Sequence, residues 1–145
     1  MAIAEEALLA LASIDSKKAL LIAQSFEEEM LSCAYEVYSI YAGKEKLPFL
    51  QKHLLTSSGY DRYYFSGYYV EYLKKQPFEV LLEGVPSLIN IAQEATSWMV
   101  WVSERRLEAV KDHLTKEIKK VNDKPQRDKA ESLISMINTQ LELLK

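Results

Sequence analysis

The chain has 145 residues, 48% of them hydrophobic and 27% charged, with a formal net charge of −3. That length supports one domain with a real core, and the negative balance supplies no field to draw in nucleic acid or anionic lipid. Cys33 is the single cysteine, which excludes an intramolecular disulfide and fits a reducing cytosol.

The opening Met-Ala-Ile-Ala-Glu-Glu lacks the basic stretch of a signal peptide, and no apolar run approaches the roughly 20 residues of a membrane span. A soluble, cytoplasmic protein is expected. Ala2 to Ile14 reads as a short helix whose apolar residues cover most of its circumference, so it packs on something. Asp15 or Ser16 can cap a second helix. That helix is expected to run over about 16–42, with Ala19, Ile22, Ala23, Phe26, Met30, Cys33, Ala34, Val37 and Tyr41 as its core stripe. Gly43 is a good stop. Pro48 to Ser58 makes a short helix closed by Gly59.

Six of the nine tyrosines follow between Tyr60 and Tyr72. As a helix, this run carries two i, i+4 ladders: Tyr60, Tyr64, Tyr68, Tyr72, and Asp61, Phe65, Tyr69, Leu73. The alternative is a small β-hairpin over 60–72, turning at Ser66-Gly67. An isolated hairpin is marginal, and the helix leads directly into Glu71-Tyr-Leu-Lys-Lys75. Pro77 is expected to open a short helix ending at Gly84.

Pro86 suits the first turn of a long helix over about 86–121. Leu88, Ile91, Ala92, Ala95, Trp98, Met99 and Val102 make one stripe; Leu107, Val110, Leu114, Ile118 and Val121 make another. The second lags the first by one residue, a swing of about 100°. A kink, a π-bulge or a change of partner is therefore expected near Ser103-Glu-Arg-Arg106. A polar turn at Asn122 to Pro125 leads into a last helix over 125–145, antiparallel to its predecessor. The expected fold is all-α: one domain, a bundle of five to seven helices framed by 16–42 and 86–121.

Chemistry is thinly represented. His53, His113 and Cys33 show no metal-ligand spacing, and Glu27-Glu28-Glu29 splay by about 100° each around a helix. Neither metal nor cofactor is expected. Cys33 lies on the apolar stripe, where burial makes a thiol inert. Phosphate-binding glycine loops are absent. Tyrosine joins a large apolar body to a polar tip and suits contact surfaces. The run Trp98-Met-Val-Trp-Val102 is apolar all round, too wide for one core face. Tyr60, Arg62, Tyr64, Tyr68, Tyr72, Trp98 and Trp101 are the expected contact residues.

The stretch Arg106-Leu-Glu-Ala-Val-Lys-Asp-His113 resembles the Arg-x(4–6)-His motif of HEPN ribonucleases. The resemblance covers eight residues and the helical class. It implies a dimerising helical domain that cleaves RNA, with Arg106 steadying a phosphate and His113 moving a proton. Leu107 departs from the family pattern, which is usually polar there. The tyrosines, with Arg62, Lys74 and Lys75, also suit stacking of single-stranded bases. The leading expectation is a non-enzymatic interaction or assembly subunit that forms a homo-oligomer or docks a protein partner. The alternative is an RNA-associated helical protein: a HEPN-like ribonuclease, or a small helical subunit of an RNA-guided ribonucleoprotein.

Overall fold

The computed structural model describes residues 2–145, with side chains from Ala4 onward. Among the described residues the helices are α1 (Ala2–Ile14), α2 (Ser16–Ser25), α3 (Leu31–Tyr41), α4 (Leu47–Thr56), α5 (Gly59–Lys74), α6 (Phe78–Gln93), α7 (Trp98–Ile118) and α8 (Lys124–Leu144), with a 3-10 turn at Lys44–Lys46. The class is all-α, as the periodicity predicts. These eight helices exceed the expected five to seven because the stretch 16–42 is cut in two, while the cut in 86–121 is offset by fusion of its start with the helix expected from Pro77.

The first cut divides the helix expected over 16–42. Asp15 caps α2, its Oδ1 accepting from the Lys18 N–H at 3.2 Å. After Ser25 the chain turns through 26–30 before α3 begins. The turn places Glu27 where its Oε1 accepts the Tyr38 hydroxyl at 2.6 Å and meets Lys46 Nζ at 3.4 Å. Phe26 is thrown to the surface, and Tyr41 is also exposed, so neither belongs to the core stripe. Ala19, Ala23, Met30, Cys33, Ala34 and Val37 do.

The hairpin alternative for 60–72 is not formed; the segment is α5. Its ladder of Phe65, Tyr69 and Leu73 is buried, and Phe65 stacks on Tyr35 with ring centroids 4.1 Å apart. Gly59 opens this helix with φ +57, rather than closing α4.

The second cut replaces the helix expected over 86–121. Pro86 lies inside α6, which begins after Pro77 and runs through Gly84. A proline there removes the N–H that would bond the Leu82 carbonyl and crowds the turn before it. Neighbouring helices take up the carbonyls in that turn: Glu83 O accepts from Gln51 Nε2 at 3.2 Å, and Gly84 O from the Tyr69 hydroxyl at 2.6 Å. Gly84 also lets α6 lie close against α5, since a Cβ there would overlap Leu73 Cδ2. The chain breaks after Gln93, and Ser97 takes φ +58 before α7 starts. The one-residue lag between the two stripes is absorbed at this joint, not near 103–106. Within α7, Ser103, Leu107, Val110 and Leu114 form one unbroken buried stripe.

Asp123 caps α8 by accepting from the Gln126 N–H at 3.1 Å, with Pro125 in the first turn. Helix α8 packs on α6 and α7, while α1 and α2 form a hairpin laid on α3. Helix α5 sits between α3 and α7, over α4 and α6. It runs parallel to both flanking helices. Towards α3, Phe65 meets Tyr35, Tyr68 meets Glu36 and Tyr72 meets Gly43. Towards α7, Tyr60 meets Trp98 and Ser66 meets Arg106. No described helix is long and apolar enough to cross a membrane.

Candidate interaction site at the starts of α5 and α7

The first turn of α5 is fixed by Arg62. Its guanidinium donates to the Leu55 carbonyl at 3.0 Å and pairs with Glu94 at 3.1 Å, tying the ends of α4 and α6 to α5. One turn further along, Arg106 does the same from α7. It donates to the Tyr63 carbonyl and to Ser66 Oγ, both at 3.0 Å, and lies over the Tyr63 ring. Gly67 makes room for it: a Cβ there would stand 3.2 Å from Arg106 Nη2. Two arginines thus lock α5 in place from either end of the junction.

What this holds up is an aromatic surface. Tyr60 is 75% exposed, Tyr64 55%, Trp98 44% and Trp101 58%. Trp98 contacts the rings of Tyr60 and Tyr63 at 5.4 and 6.2 Å between centroids, and Tyr63 meets Tyr64 edge-on at 5.1 Å. Arg105 lies over Trp101, 4.6 Å from the ring centroid. The rings of Tyr60, Trp98, Tyr63 and Tyr64, in contact pairwise, present an apolar platform with polar tips, and Trp101 with its stacked guanidinium stands beside it, three residues along α7 from Trp98.

Of the expected contact residues, Tyr60, Tyr64, Trp98 and Trp101 are brought together here. Arg62 is drawn inward to the fold. Tyr68 is half-buried, donating to Glu36 Oε1 at 2.8 Å, and Tyr72 is buried, donating to the Gly43 carbonyl at 2.6 Å. Burial pushes both phenols up to about 12, with Glu36 adding to the shift at Tyr68 and Glu45 at Tyr72. Tyr63 and Arg105 join the site without having been singled out. The spacing carries a signal for both: Tyr63 lies three residues after Tyr60, and Arg105 four after Trp101, each on the same helix face as its partner.

Arg106 and His113 stand two helical turns apart, about 10 Å along α7. The Arg106 guanidinium is engaged with α5 as described. His113 is half-buried near Lys74. Burial lowers its pKa, with Glu117 opposing and Lys74 reinforcing the shift. His53 packs on Phe49, its pKa also lowered by burial.

A cleft of about 320 Å³ adjoins the platform across Tyr64. Glu5, Glu36 and Asp61 line it with Tyr68 and the edge of Cys33. The Cys33 thiol donates to the Glu5 carbonyl at 3.6 Å; burial, then Glu5 and Glu36, push its pKa up to about 11. A thiol held protonated in this way is a poor nucleophile. Among the described residues no group of three His, Cys, Asp or Glu is placed to hold a metal ion. A second groove, of about 460 Å³, lies between α1 and α2 and is walled by Leu8, Leu11, Ile22, Phe26 and Met30.

Comparison with known protein families, curated proteins and solved structures gives no match to this chain.

Proposed function

We propose that this protein is an interaction or assembly subunit that docks protein through the aromatic platform at the starts of α5 and α7. One observation carries the reading: four large aromatic side chains stand exposed in one patch, held there by two arginines whose hydrogen bonds are to the fold itself. Exposed clusters of Tyr and Trp with an adjacent Arg have the composition of interface hot spots. The reading places the protein in the cytoplasm, where its buried, protonated thiol is at home.

Sedimentation velocity and affinity capture, run on the wild type and on a Tyr60→Ser/Trp101→Ser variant, test this. Self-association or capture of a protein partner is expected for the wild type and lost in the variant, with unchanged thermal unfolding. Association that is absent in both, or equal in both, removes the reading.

A second reading draws on the Arg105–Trp101 stack, which is the geometry of a base-stacking platform. Under it the chain is an RNA-associated helical protein. Labelled single-stranded RNA would then bind with steep salt dependence, and cleavage lost on His113→Ala would mark the HEPN-like form. Asp61 and Glu94, at the first turn of α5 and its Arg62 tie, weigh against phosphate, so the protein reading leads.

A further inference from the structure

Helix α5 has unlike neighbours on its two sides. On the α7 side, Arg105 is exposed, stacks on Trp101 and has no ion-pair partner among the described residues. On the α3 side, Glu5, Glu36 and Asp61 face one cleft, and none of them is paired with a cation among the described residues. The aromatic ridge of Tyr60 and Tyr64 lies between. One unpaired arginine, an aromatic crest and an acidic cleft therefore cross one face in sequence.

We infer that the occupant of the aromatic platform is a second copy of this chain, in an isologous dimer that sets Arg105 of each copy in the acidic cleft of the other. The inference rests on the docking function proposed above and names its partner. Symmetry decides the fit. Helices α3, α5 and α7 run side by side in one direction, so a two-fold axis along α5 lays α7 of one copy over α3 of the other. Arg105 then meets carboxylates twice per dimer and carries the stacked Trp101 onto the partner, while Tyr60 and Tyr64 of the two copies pack ring on ring at the centre. A two-fold axis across the helices would set Arg105 on Arg105 and carboxylate on carboxylate, which like-charge repulsion disfavours. An apolar, aromatic centre with a charged rim is the anatomy of a protein–protein interface.

Charge reversal at Arg105 and Asp61 tests the pairing, because both residues are exposed and neither makes an ion pair among the described residues. Both of the chain's tryptophans lie at the platform, so their emission reports its burial directly. The wild type is expected to dimerise in the micromolar range, with tryptophan emission shifting to the blue as concentration rises. Arg105→Glu and Asp61→Lys, each alone, are expected to raise the dimer dissociation constant about tenfold or more, most strongly at low salt. Circular dichroism checks that both variants keep their helices. Mixed in equal amounts, the two variants are expected to recover wild-type affinity. In the mixed dimer the introduced carboxylate meets the introduced ammonium at one contact, and the original pair forms at the other. A mixture no stronger than either variant alone overturns the inference. So does a wild type that sediments as a monomer throughout the micromolar range, or an emission shift that answers to single-stranded RNA and not to protein concentration. A monomer that still captures another protein through Tyr60 and Trp101 removes the second copy and leaves the docking function standing; no patch-dependent association of any kind removes both.

Discussion

The two ends of α5 carry the same residue type to opposite fates. At the C-terminal end Tyr69 and Tyr72 are fully buried, and at the N-terminal end Tyr60 and Tyr64 face outward. Ring size cannot make the difference; the face does, since Tyr69 shares the covered side of α5 with Phe65 and Leu73 while Tyr60 and Tyr64 lie on the open side. Each buried hydroxyl in addition finds an acceptor. Tyr69 reaches Gly84 O and Tyr72 reaches Gly43 O, each at 2.6 Å, and both acceptors are backbone carbonyls at glycines. A buried phenol without an acceptor costs roughly 1–3 kcal/mol, so the core admits tyrosine where a neighbouring backbone stands ready. At the N-terminal end Tyr60 and Tyr64 lie on the open side of α5, and the rings stay at the surface.

Alkali puts the buried set to the broadest test. Tyr35, Tyr38, Tyr68, Tyr69 and Tyr72 all have pKa values raised by burial above the usual 10.0, Tyr68 and Tyr72 to about 12. The unfolded chain ionises first as pH rises, so the stability linked to these groups is fully present below pH 10 and is lost as pH climbs through 12. Ultraviolet titration run alongside urea unfolding should show buried phenols ionising together with loss of the fold. Ionisation of all nine tyrosines at the usual value, with the helices intact, would break the contrast between the two ends.

Side-chain removal should separate the ends next most strongly. Tyr69→Ala is expected to cost about 3–5 kcal/mol, lowering Tm by about 10 °C in a chain of this size. Tyr60→Ala should change stability by less than about 0.5 kcal/mol. Thermal unfolding measures both, and equal losses would show that the exposed end is part of the core.

Gly84→Ala is expected to destabilise by about 1–3 kcal/mol in urea unfolding, although alanine is the better helix former by about 1 kcal/mol. The reason is the overlap with Leu73 on α5. Gly67→Ala should cost less, because its new methyl meets only the flexible end of Arg106.

The smallest effect isolates the hydroxyls. Tyr69→Phe and Tyr72→Phe should each cost about 1 kcal/mol, and Tyr64→Phe nothing measurable by the same unfolding curves. A free exchange of Tyr for Phe at 69 would mean that shape, not the hydrogen bond, admits the ring.

Helical class, the α7–α8 hairpin, the cap at Asp15 and most of the core stripe were legible, because 3.6-residue periodicity and capping chemistry act within one stretch of chain; the polar turn at 122–125 was legible too, but not that Asp123 caps α8. The cuts were not. Pro86 reads as a helix start until Gln51 and Tyr69 are seen to serve the carbonyls before it, and those residues lie 32 and 15 positions from the carbonyls they serve. The turn through 26–30 depends on Tyr38 and Lys46 reaching Glu27. For the candidate site, composition marked the aromatic residues, but sequence alone could not sort Tyr60 from Tyr72. That sorting is set by which side of α5 the neighbouring helices cover, a tertiary fact. The tie between Arg62 and Glu94 has the same character, converting a residue expected at the contact surface into a strut.

The four-residue joint between α6 and α7 separates two helical registers. Ser97 bears a left-handed backbone that glycine adopts without strain, so Ser97→Gly is the change this joint should welcome most readily. A change of length in α7 is another matter. One residue added or removed inside the first turn of α7 would turn the helix beyond it by about 100°, unseating Arg106 from Ser66 and turning Leu107 out of the interior together. Loops usually drift in length as sequences diverge; the joint can take up such drift, while the register of α7 beyond it is held by the contacts it carries.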